Sequence, residues 1–248
     1  MEIVLKTQNL SKFFGGLKAL DNVNVSIQKN KITLIVGPNG SGKTTLINTV
    51  SGFYKADSGK VFFDGKDITN KPPHEISKLG ITRTFQIPQP LKKLTVLENL
   101  LVFYNYGTEL IEAVNGKWKK KESDATEKAF KILEFLKLDH LWDVQAQNLS
   151  GGQLKLLEIG RALMRESKLF IADEPVAGVN PVLAHEILSR FLKLKDEMSF
   201  LLVEHRLDIV LKYTDYIYVM ANGKIIAEGR EEVFEDPKVV EVYLSAKG

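Results

Sequence analysis

The sequence predicts an α/β fold with a mostly parallel sheet, an accompanying antiparallel β layer and a helical insertion. A glycine-rich turn at residues 37–45 joins a short apolar strand to the start of a helix. After residue 150, apolar strands alternate with amphipathic helices, which indicates a parallel sheet. A stretch of helical periodicity interrupts this pattern. We therefore expect a single domain over residues 1–248, with the α/β core and β layer at 1–87 and 151–248 and a helical subdomain at 88–150.

Composition is that of an ordinary globular chain and excludes several kinds of site. Of 248 residues, 44% are hydrophobic and 26% are charged, and the net charge of +3 is too small to indicate a nucleic-acid partner by itself. The chain has no cysteine, so disulfides, thiolate metal sites and cysteine nucleophiles are excluded. No signal-peptide pattern and no run of ~18 apolar residues is present. We expect any membrane role to depend on a partner.

The antiparallel layer is predicted from three short segments before residue 70. Residues 3–7 form an apolar strand, and residues 23–27 alternate as a half-buried strand, with a turn expected at 9–16 between them. Residues 60–68 have the pattern of strand, turn and strand, because Asp-Gly is a favoured hairpin turn. These segments predict a β layer beside the glycine-rich loop.

The glycine-rich loop predicts a phosphate-binding site. It lies between an apolar, β-branched strand at 31–36 and a helix at 46–50, and it matches the spacing G-x-x-x-x-G-K-[ST]. Glycines let backbone N–H groups approach phosphate oxygens, and a helix N-terminus favours an anion. Lys43 supplies a positive charge for the β and γ phosphates, and Thr44 supplies a hydroxyl ligand for Mg²⁺. The loop residues are Gly37, Pro38, Asn39, Gly40, Ser41, Gly42, Lys43, Thr44 and Thr45.

The helical insertion begins where Pro88 and Pro90 follow a strand at 81–85. Apolar spacing predicts helices at 95–104 and 122–137, with a polar loop at 105–121 between them. The basic run at 117–121 is a small electrostatic footprint. We expect it to be part of a solvated loop and expect no nucleic-acid partner.

The alternating region after residue 150 contains a second motif for nucleotide chemistry. Helices are predicted at 153–164, 181–197 and 207–212, strands at 169–172 and 200–203, and a hairpin at 216–227, followed by a last short helix. Asp173 and Glu174 come directly after the strand at 169–172, at the strand end where open α/β sheets bind ligands. Asp173 can hold Mg²⁺ through water, and Glu174 can orient and deprotonate a water aimed at the γ-phosphate.

A third motif indicates a family. The residues Leu149, Ser150, Gly151, Gly152 and Gln153 place a capping serine and two glycines at the start of a predicted helix. Together with the phosphate-binding loop and the Asp-Glu pair, this pentapeptide resembles the signature sequence of ATP-binding-cassette ATPases, and the resemblance covers nearly the whole chain. It implies a RecA-like P-loop NTPase fold, ATP and Mg²⁺ as cofactors, and ATP hydrolysis.

The resemblance implies further roles at matching positions. Phe14 corresponds to the aromatic residue that stacks on adenine, with Phe13 or a core role for Phe14 as alternatives. Gln86 corresponds to the glutamine that joins Mg²⁺ and the attacking water. His205 corresponds to the switch histidine at the γ-phosphate, which gives Glu174, His205 and Gln86 as the catalytic set.

The segment 178–181 corresponds to the loop that crosses to the opposite subunit, here called the dimer loop. Gly178 and Asn180 are its candidate contact residues. The family commonly has aspartate at the position of Asn180, and asparagine retains hydrogen bonding but loses the charge.

The motifs Arg83-Thr84-Phe85-Gln86 and 94–100 look like the branch that energises branched-chain amino acid importers. This resemblance implies transmembrane permease subunits as partners and a substrate-binding protein as an indirect partner. It also implies a nucleotide-sandwich dimer, formed with a sister ATPase or a second copy, in which the signature of one subunit closes the ATP site of the other. The implied location is the cytoplasmic face of the cell membrane, through the permease.

Related ATPases share these motifs, so several alternatives stay open. ATPases of urea or short-amide importers and of lipopolysaccharide exporters are alternatives within transport. A soluble cassette ATPase of iron–sulfur assembly and a non-catalytic nucleotide-binding module are alternatives from other classes. The presence of Lys43, Asp173, Glu174 and His205 argues against a module that binds without hydrolysing.

Overall fold

The structure is a computed structural model, and it describes residues 2–84, 90–104, 117–165 and 167–245. In chain order, the strands are β1 (Ile3–Phe14), β2 (Leu17–Val23), β3 (Ser26–Gln28), β4 (Ile32–Val36), β5 (Ser58–Phe63), β6 (Lys66–Asp67), β7 (Ile81–Arg83), β8 (Leu169–Asp173), β9 (Ser199–Val203), β10 (Tyr216–Ala221) and β11 (Lys224–Gly229).

The helices are α1 (Lys43–Val50), α2 (Pro73–Lys78), α3 (Val96–Leu101), α4 (Lys117–Leu136), α5 (Gly151–Met164), α6 (Pro181–Leu194), α7 (Leu207–Val210) and α8 (Pro237–Ser245). Short 3₁₀ turns lie at Asp139–Leu141, Ala146–Asn148, Leu211–Tyr213 and Glu231–Glu235. None of the helices in the described stretches combines the length and the apolar character that crossing a bilayer requires.

The chain divides into two units, one formed by Met1–Gln86 with Lys168–Gly248 and the other by Ile87–Ser167. The second unit extends beyond the predicted end of the helical subdomain at 150, so helix α5 belongs to this unit rather than to the core. The physical reason is that α5 packs against α3 and α4 within its own unit. The predicted boundary was set at the signature sequence. This sequence shows where the helix begins but not which unit the helix packs in.

The first unit contains the predicted mostly parallel sheet. Within the described residues the strand order is β11-β10-β4-β9-β8-β7, and every pair is parallel except the hairpin β10–β11. Strands β4, β8 and β9 are buried at every position, as continuous apolar runs in a parallel sheet predict. Their carboxyl ends therefore lie side by side, and these ends carry the predicted site residues.

The second sheet of this unit is antiparallel and has the order β2-β1-β5-β6, with β3 paired to β1. Strand β1 continues through residues 9–14, where a turn was predicted from the sequence. The turn preference of Asn9 is satisfied inside the strand, because Asn9 has a φ of 48° at a shift in the pairing register with β5. The turn predicted at 9–16 is thus wrong for residues 9–14, where the structure has a shift of strand register within β1 instead.

The two sheets of the first unit share an apolar core with α1. Leu5 and Phe63 from the antiparallel layer, Ile35 from β4 and Leu46 from α1 belong to one buried cluster. The loop between β4 and α1 is therefore anchored at both of its ends by buried side chains.

Three helices form the core of the second unit. Gly160 on α5 is their point of closest approach, because a Cβ there would lie 2.9 Å from Leu100 Cδ2 on α3 and 3.0 Å from Leu136 Cδ1 on α4. Helix α4 begins at Lys117, inside the segment predicted as a loop. Lysine and glutamate favour helix, and the apolar positions that set the prediction begin only at Ala125, one of its buried residues.

Candidate active site

The loop at 37–45 connects β4 to α1 as the sequence predicts. Gly42 is the N-cap of α1 with a φ of 105°, and no side chain caps this helix start. A Cβ at Gly42 would lie 2.5 Å from the carbonyl oxygen of Ala19, and one at Gly37 would overlap the carbonyl oxygen of Met220. The backbone comes so close at these two positions that only glycine fits. The first N–H groups of α1 have no side-chain cap and are left to bind another acceptor.

Lys43 places its ammonium group against this loop. The Nζ atom donates to the carbonyl oxygens of Gly37 and Pro38, each at 2.9 Å, and the residue is 5% exposed. Burial lowers the pKa of Lys43, whereas the negative charges of Glu174 and Asp173 oppose that shift. The lysine therefore holds a buried positive charge within electrostatic reach of two carboxylates.

The other loop residues differ in exposure. Asn39, Gly40 and Thr44 are exposed, whereas Ser41 is buried and its carbonyl oxygen accepts a 3.0 Å bond from the N–H of Gly223. Thr45 and Pro38 are half-buried. The loop is thus braced from the β10–β11 turn while its outer backbone and the Thr44 hydroxyl remain accessible.

Two neighbouring strands bring the predicted catalytic residues together. Strands β8 and β9 are paired in parallel with Asp173 opposite Val203. Glu174 directly follows Asp173, and His205 is the second residue after Val203. The Nε2 atom of His205 lies 3.4 Å from Oε1 of Glu174. Glu174 has a φ of 53°, which costs a non-glycine residue on the order of 1–2 kcal/mol. Contacts around Glu174 must hold it in this conformation.

Asp173 is buried and faces Arg83, a residue of the Arg83-Thr84-Phe85-Gln86 motif for which the sequence predicted no role in the site. Asp173 is 5% exposed, and Nη2 of Arg83 on β7 lies 3.4 Å from its Oδ2. Arg83 also donates to Oδ1 of Asn48 on α1 at 2.5 Å. Burial raises the pKa of Asp173 above its usual range, although the charge of Arg83 opposes that shift. The sequence clue was a charged residue at the end of an apolar strand.

Thr44 and Asp173 form a donor set that fits Mg²⁺. Mg²⁺ prefers oxygen ligands and is usually bound by one or two protein groups together with phosphates and water. Thr44 is exposed at the start of α1 and carries a hydroxyl group. Asp173 carries a carboxylate within electrostatic reach of Lys43, the residue before Thr44 in the loop. Gln86, the third predicted metal ligand and a predicted catalytic residue, lies outside the described residues.

The aromatic residue predicted to stack on adenine lies on the surface. Phe14 is 43% exposed, and its ring packs edge-on against Tyr54 with 5.3 Å between centroids. The Nζ atom of Lys12 lies 5.3 Å from the centroid of the same ring. Phe14 is thus outside the core and is held by two neighbours, while Phe13 is also exposed, at 38%.

The predicted signature residues lie in the second unit at the start of α5. Ser150 is the N-cap: its Oγ accepts the N–H of Gln153 at 3.3 Å, and its own N–H donates to Oε1 of Gln153 at 2.8 Å. Leu149 is buried, whereas Ser150 and Gly151 are exposed and Gly152 is half-buried. A Cβ at Gly151 would have no atom within 4 Å. This helix start is an open surface with a self-contained cap.

The dimer loop leads into α6. Gly178 has a φ of 71°, and Asn180 is the N-cap, with its Oδ1 accepting the N–H of Leu183 at 2.9 Å. Aspartate can make the same bond, so the asparagine preserves the helix start. Gly178 and Asn180 are both exposed.

Sequence reasoning also missed Glu204, which lies between β9 and His205 and is 1% exposed. Its Oε1 accepts the N–H of Val176 at 2.7 Å, and its Oε2 accepts the N–H of His205 at 3.1 Å. An acidic residue after a strand is ordinarily expected to be solvated. Only the pairing of β8 with β9 shows that this one is enclosed.

Comparison with protein families matches residues 20–177 to the family described as ABC transporter. A curated relative from Archaeoglobus fulgidus, named "Probable branched-chain amino acid transport ATP-binding protein LivG", is 70% identical over 247 residues. The alignment covers 98% of this chain and 96% of that protein.

Two solved structures extend the comparison to three dimensions. The ADP conformation of an ATP-binding cassette of an ABC transporter matches with a TM-score of 0.86 and 56% identity, covering 98% of this chain and 99% of that one. A dimeric post-hydrolysis state of an ATP-binding cassette bound to ADP and Pi matches with a TM-score of 0.76 and 26% identity, covering 91% and 98%. Both agree with the α/β class and the P-loop NTPase fold expected from the motifs.

Proposed function

The chain belongs to the ABC transporter family and is an ATP-binding-cassette ATPase, and from that premise we propose that it energises a membrane importer of branched-chain amino acids. One observation supports this catalytic site above all: three features of the same unit follow strands that lie side by side. The phosphate-binding loop with Lys43, the adjacent Asp173 and Glu174, and His205 all follow neighbouring parallel strands.

Glu174 is the general base of this proposal. As the oxygen of a water molecule attacks the γ-phosphorus, the Glu174 carboxylate takes a proton from that water. The bond from the γ-phosphorus to the oxygen bridging to ADP breaks, and ADP and phosphate are the products. His205, 3.4 Å from Glu174, orients the carboxylate and donates to a γ-phosphate oxygen. Lys43 and the N–H groups of α1 stabilise the negative charge on the phosphates.

Thr44 and Asp173, with Gln86, are the residues that would hold Mg²⁺. When bound, this ion neutralises charge on the β and γ phosphates. The chain's own contribution is to orient the Asp173 carboxylate, which Arg83 contacts at 3.4 Å. Phe14, exposed beside Tyr54, provides the surface against which the adenine ring stacks.

The working unit of this proposal is a dimer, because the two nucleotide-binding surfaces of one chain serve different sites. The start of α5, from Ser150 to Gln153, contacts the ATP held by the opposite subunit, and Gly178 and Asn180 contact that subunit directly. The known dimeric cassette with ADP and Pi supports this arrangement. ATP would then hold two subunits together, and hydrolysis would release them.

Transport of branched-chain amino acids is inferred from the name of the Archaeoglobus relative. The partners of this function are transmembrane permease subunits, a sister ATPase or second copy, and indirectly a substrate-binding protein. In keeping with a transport ATP-binding protein as relative, the permease would hold the chain at the cytoplasmic face of the membrane.

The catalytic assignment is tested with Glu174→Gln in the full-length chain. The amide keeps the shape of the side chain but cannot accept the proton, so ATP turnover should fall at least about 100-fold. Nucleotide affinity should change less than about twofold, and ATP should shift the variant toward a dimer in size-exclusion chromatography. Glu75→Gln is the matched control, since it makes the same change at an exposed acid that pairs with Lys71. Wild-type turnover by Glu174→Gln at saturating ATP would refute the base assignment.

The cargo assignment needs a transport measurement. Deleting the gene should abolish uptake of radiolabelled leucine, isoleucine and valine, and the wild-type chain, but not Glu174→Gln, should restore it. Loss of urea or short-amide uptake with normal leucine uptake would instead support the alternative importer. Co-purification with permease subunits would separate either importer from a soluble cassette ATPase.

A further inference from the structure

The three residues that follow β9 each contact the loop that follows β8. Glu204 accepts the N–H of Val176 at 2.7 Å, and His205 lies 3.4 Å from Glu174. Arg206 donates from Nη1 to the carbonyl oxygen of Val179 at 3.0 Å. The loops that follow β8 and β9 are therefore joined by three successive residues of the second loop. The middle contact, between His205 and Glu174, joins two proposed catalytic residues.

Glu204 is the most deeply buried member of this group, at 1% exposure. A carboxylate is costly to bury unless hydrogen bonds replace its hydration. Each oxygen of Glu204 accepts a backbone N–H, one from Val176 and one from His205. The residue thus ties together the backbones of the two loops that carry the catalytic side chains.

The hydrogen bonds of Glu204 stabilise the unusual backbone conformation of Glu174. Glu174 has a left-handed φ of 53°, which a non-glycine residue adopts only when its surroundings impose it. Its own N–H donates to the carbonyl oxygen of Val203, and its carbonyl oxygen accepts the N–H of Ala177 in a turn. Val176, the second of the two central residues of this turn, donates its N–H to Glu204. The Glu204 bond therefore fixes the turn that holds Glu174.

We propose that Glu204 is a positioning residue for ATP hydrolysis that makes the catalytic Glu174, the switch His205 and the dimer loop move as one body. Arg206 is a second tether, because Val179 lies between Gly178 and Asn180 of the dimer loop. A change at the opposite subunit would then reach Glu174 and His205 through the hydrogen bonds of the Glu204 and Arg206 side chains to the backbone. This inference rests on the proposed roles of Glu174 and His205.

The chemistry of the two bonds favours glutamate over its nearest analogues at this position. Both oxygens accept from N–H groups, and a glutamine would place its NH₂ group against one of these donors. An aspartate is shorter by one carbon–carbon bond, about 1.5 Å, so it could not keep both contacts. Glutamine is thus the most informative substitution, since it preserves size while removing one acceptor.

The first test compares Glu204→Gln, His205→Ala and the double variant in the full-length chain. We expect Glu204→Gln to lower ATP turnover at saturation at least tenfold, with nucleotide affinity within twofold of wild type. In the His205→Ala background the same change should lower turnover by a clearly smaller factor than in the wild-type background, because the part of the Glu204 effect that passes through His205 is already lost. Glu75→Gln, which makes the same change at an exposed acid paired with Lys71, should keep wild-type turnover.

The second test does not depend on activity. Hydrogen exchange measured by mass spectrometry should become at least tenfold faster in the backbone of 174–180 and 204–206 in Glu204→Gln, with the phosphate-binding loop unchanged. Should Glu204→Gln not fold, Arg206→Gln removes the half-buried second tether. It should lower turnover at least threefold and accelerate exchange in 178–180.

The outcomes separate this proposal from the function on which it rests. Turnover of Glu204→Gln within twofold of wild type, additive losses in the double variant, or unchanged exchange at 174–180 would each overturn the positioning role. If His205→Ala itself hydrolyses ATP at the wild-type rate, the proposed role of His205 fails, whereas faster exchange in Glu204→Gln would still establish the tie between the loops.

Discussion

Helices α1 and α5 both begin at a glycine-rich turn, yet the two turns are built in opposite ways. The start of α1 has no side-chain cap and is enclosed by backbone, with a Cβ at Gly42 only 2.5 Å from the carbonyl oxygen of Ala19. The start of α5 is capped by Ser150 and Gln153, and a Cβ at Gly151 would meet nothing within 4 Å. The first turn therefore has the uncapped helix start that the predicted anion site requires, whereas the second is a capped helix start with open space around Gly151.

This difference predicts which property each turn controls. Substitutions at the start of α1 should alter nucleotide binding by the isolated chain. Substitutions at the start of α5 should leave that binding intact and alter only the ATP-dependent dimer.

The largest expected effect follows from removing the charge of the first turn. Lys43→Ala should weaken ATP binding by about 100-fold, since charge-assisted bonds to phosphate contribute roughly 2–3 kcal/mol. Titration with a fluorescent ATP analogue measures the affinity. Gln153→Ala at the second turn is the matched control and should bind as wild type does. Equal losses in both variants would contradict the proposed division of labour.

The next effect concerns stability and compares one glycine from each turn. Gly42→Ala should lower the free energy of unfolding by at least about 2 kcal/mol, because alanine at a φ of 105° is strained and its Cβ would press on the backbone of Ala19. Gly151→Ala should change stability by less than about 0.5 kcal/mol. Chemical denaturation measures both, and a stable Gly42→Ala variant would show that the turn can rearrange.

A smaller effect separates the cap of α5 from its role as a surface. Ser150→Ala should destabilise the second unit by about 1 kcal/mol through loss of the N-cap, and it should weaken the ATP-trapped dimer in the Glu174→Gln background. Thr95→Ala removes the equivalent capping box of α3 and should cost similar stability without affecting the dimer. Equal dimer loss in both variants would mean that helix stability alone explains the effect.

The smallest effect concerns α6, whose start combines a side-chain cap with a place in the dimer loop. Asn180→Asp should raise the free energy of unfolding by about 0.5 kcal/mol, because a carboxylate caps as well as an amide and interacts favourably with the helix N-terminus. Asn180→Ala should instead lower it by about 1 kcal/mol. Thermal unfolding distinguishes the two, and a less stable Asn180→Asp would indicate an unfavourable charge in this loop.

The sequence was sufficient where a motif is local. The phosphate-binding loop, the Asp173-Glu174 pair and the capping serine at 150 are each recognisable because backbone geometry requires particular residue types over a few neighbouring positions. The α/β class followed from strands and helices that alternate with continuous apolar runs, and it is confirmed by the structure and the family match. The roles of Phe14 and His205 stay predictions, supported by exposure and by a contact with Glu174 respectively.

The predictions from sequence were wrong where contacts with distant segments override a local preference. Asn9 has a turn preference, but pairing on both edges keeps it within strand β1. Helix α5 begins at the signature but packs with α3 and α4, which moved the boundary between the units to Ser167.

What the sequence by itself determined is therefore the chemistry available to this protein: an anion-binding loop, a pair of carboxylates and a capped helix start. Only the tertiary structure decided how that chemistry is held. It placed Arg83 against Asp173 and enclosed Glu204 between two loops, although these residues are 90 and 28 positions from their partners. Such contacts depend on the parallel register of β7, β8 and β9, which arises from the packing of whole strands rather than from any short stretch of sequence.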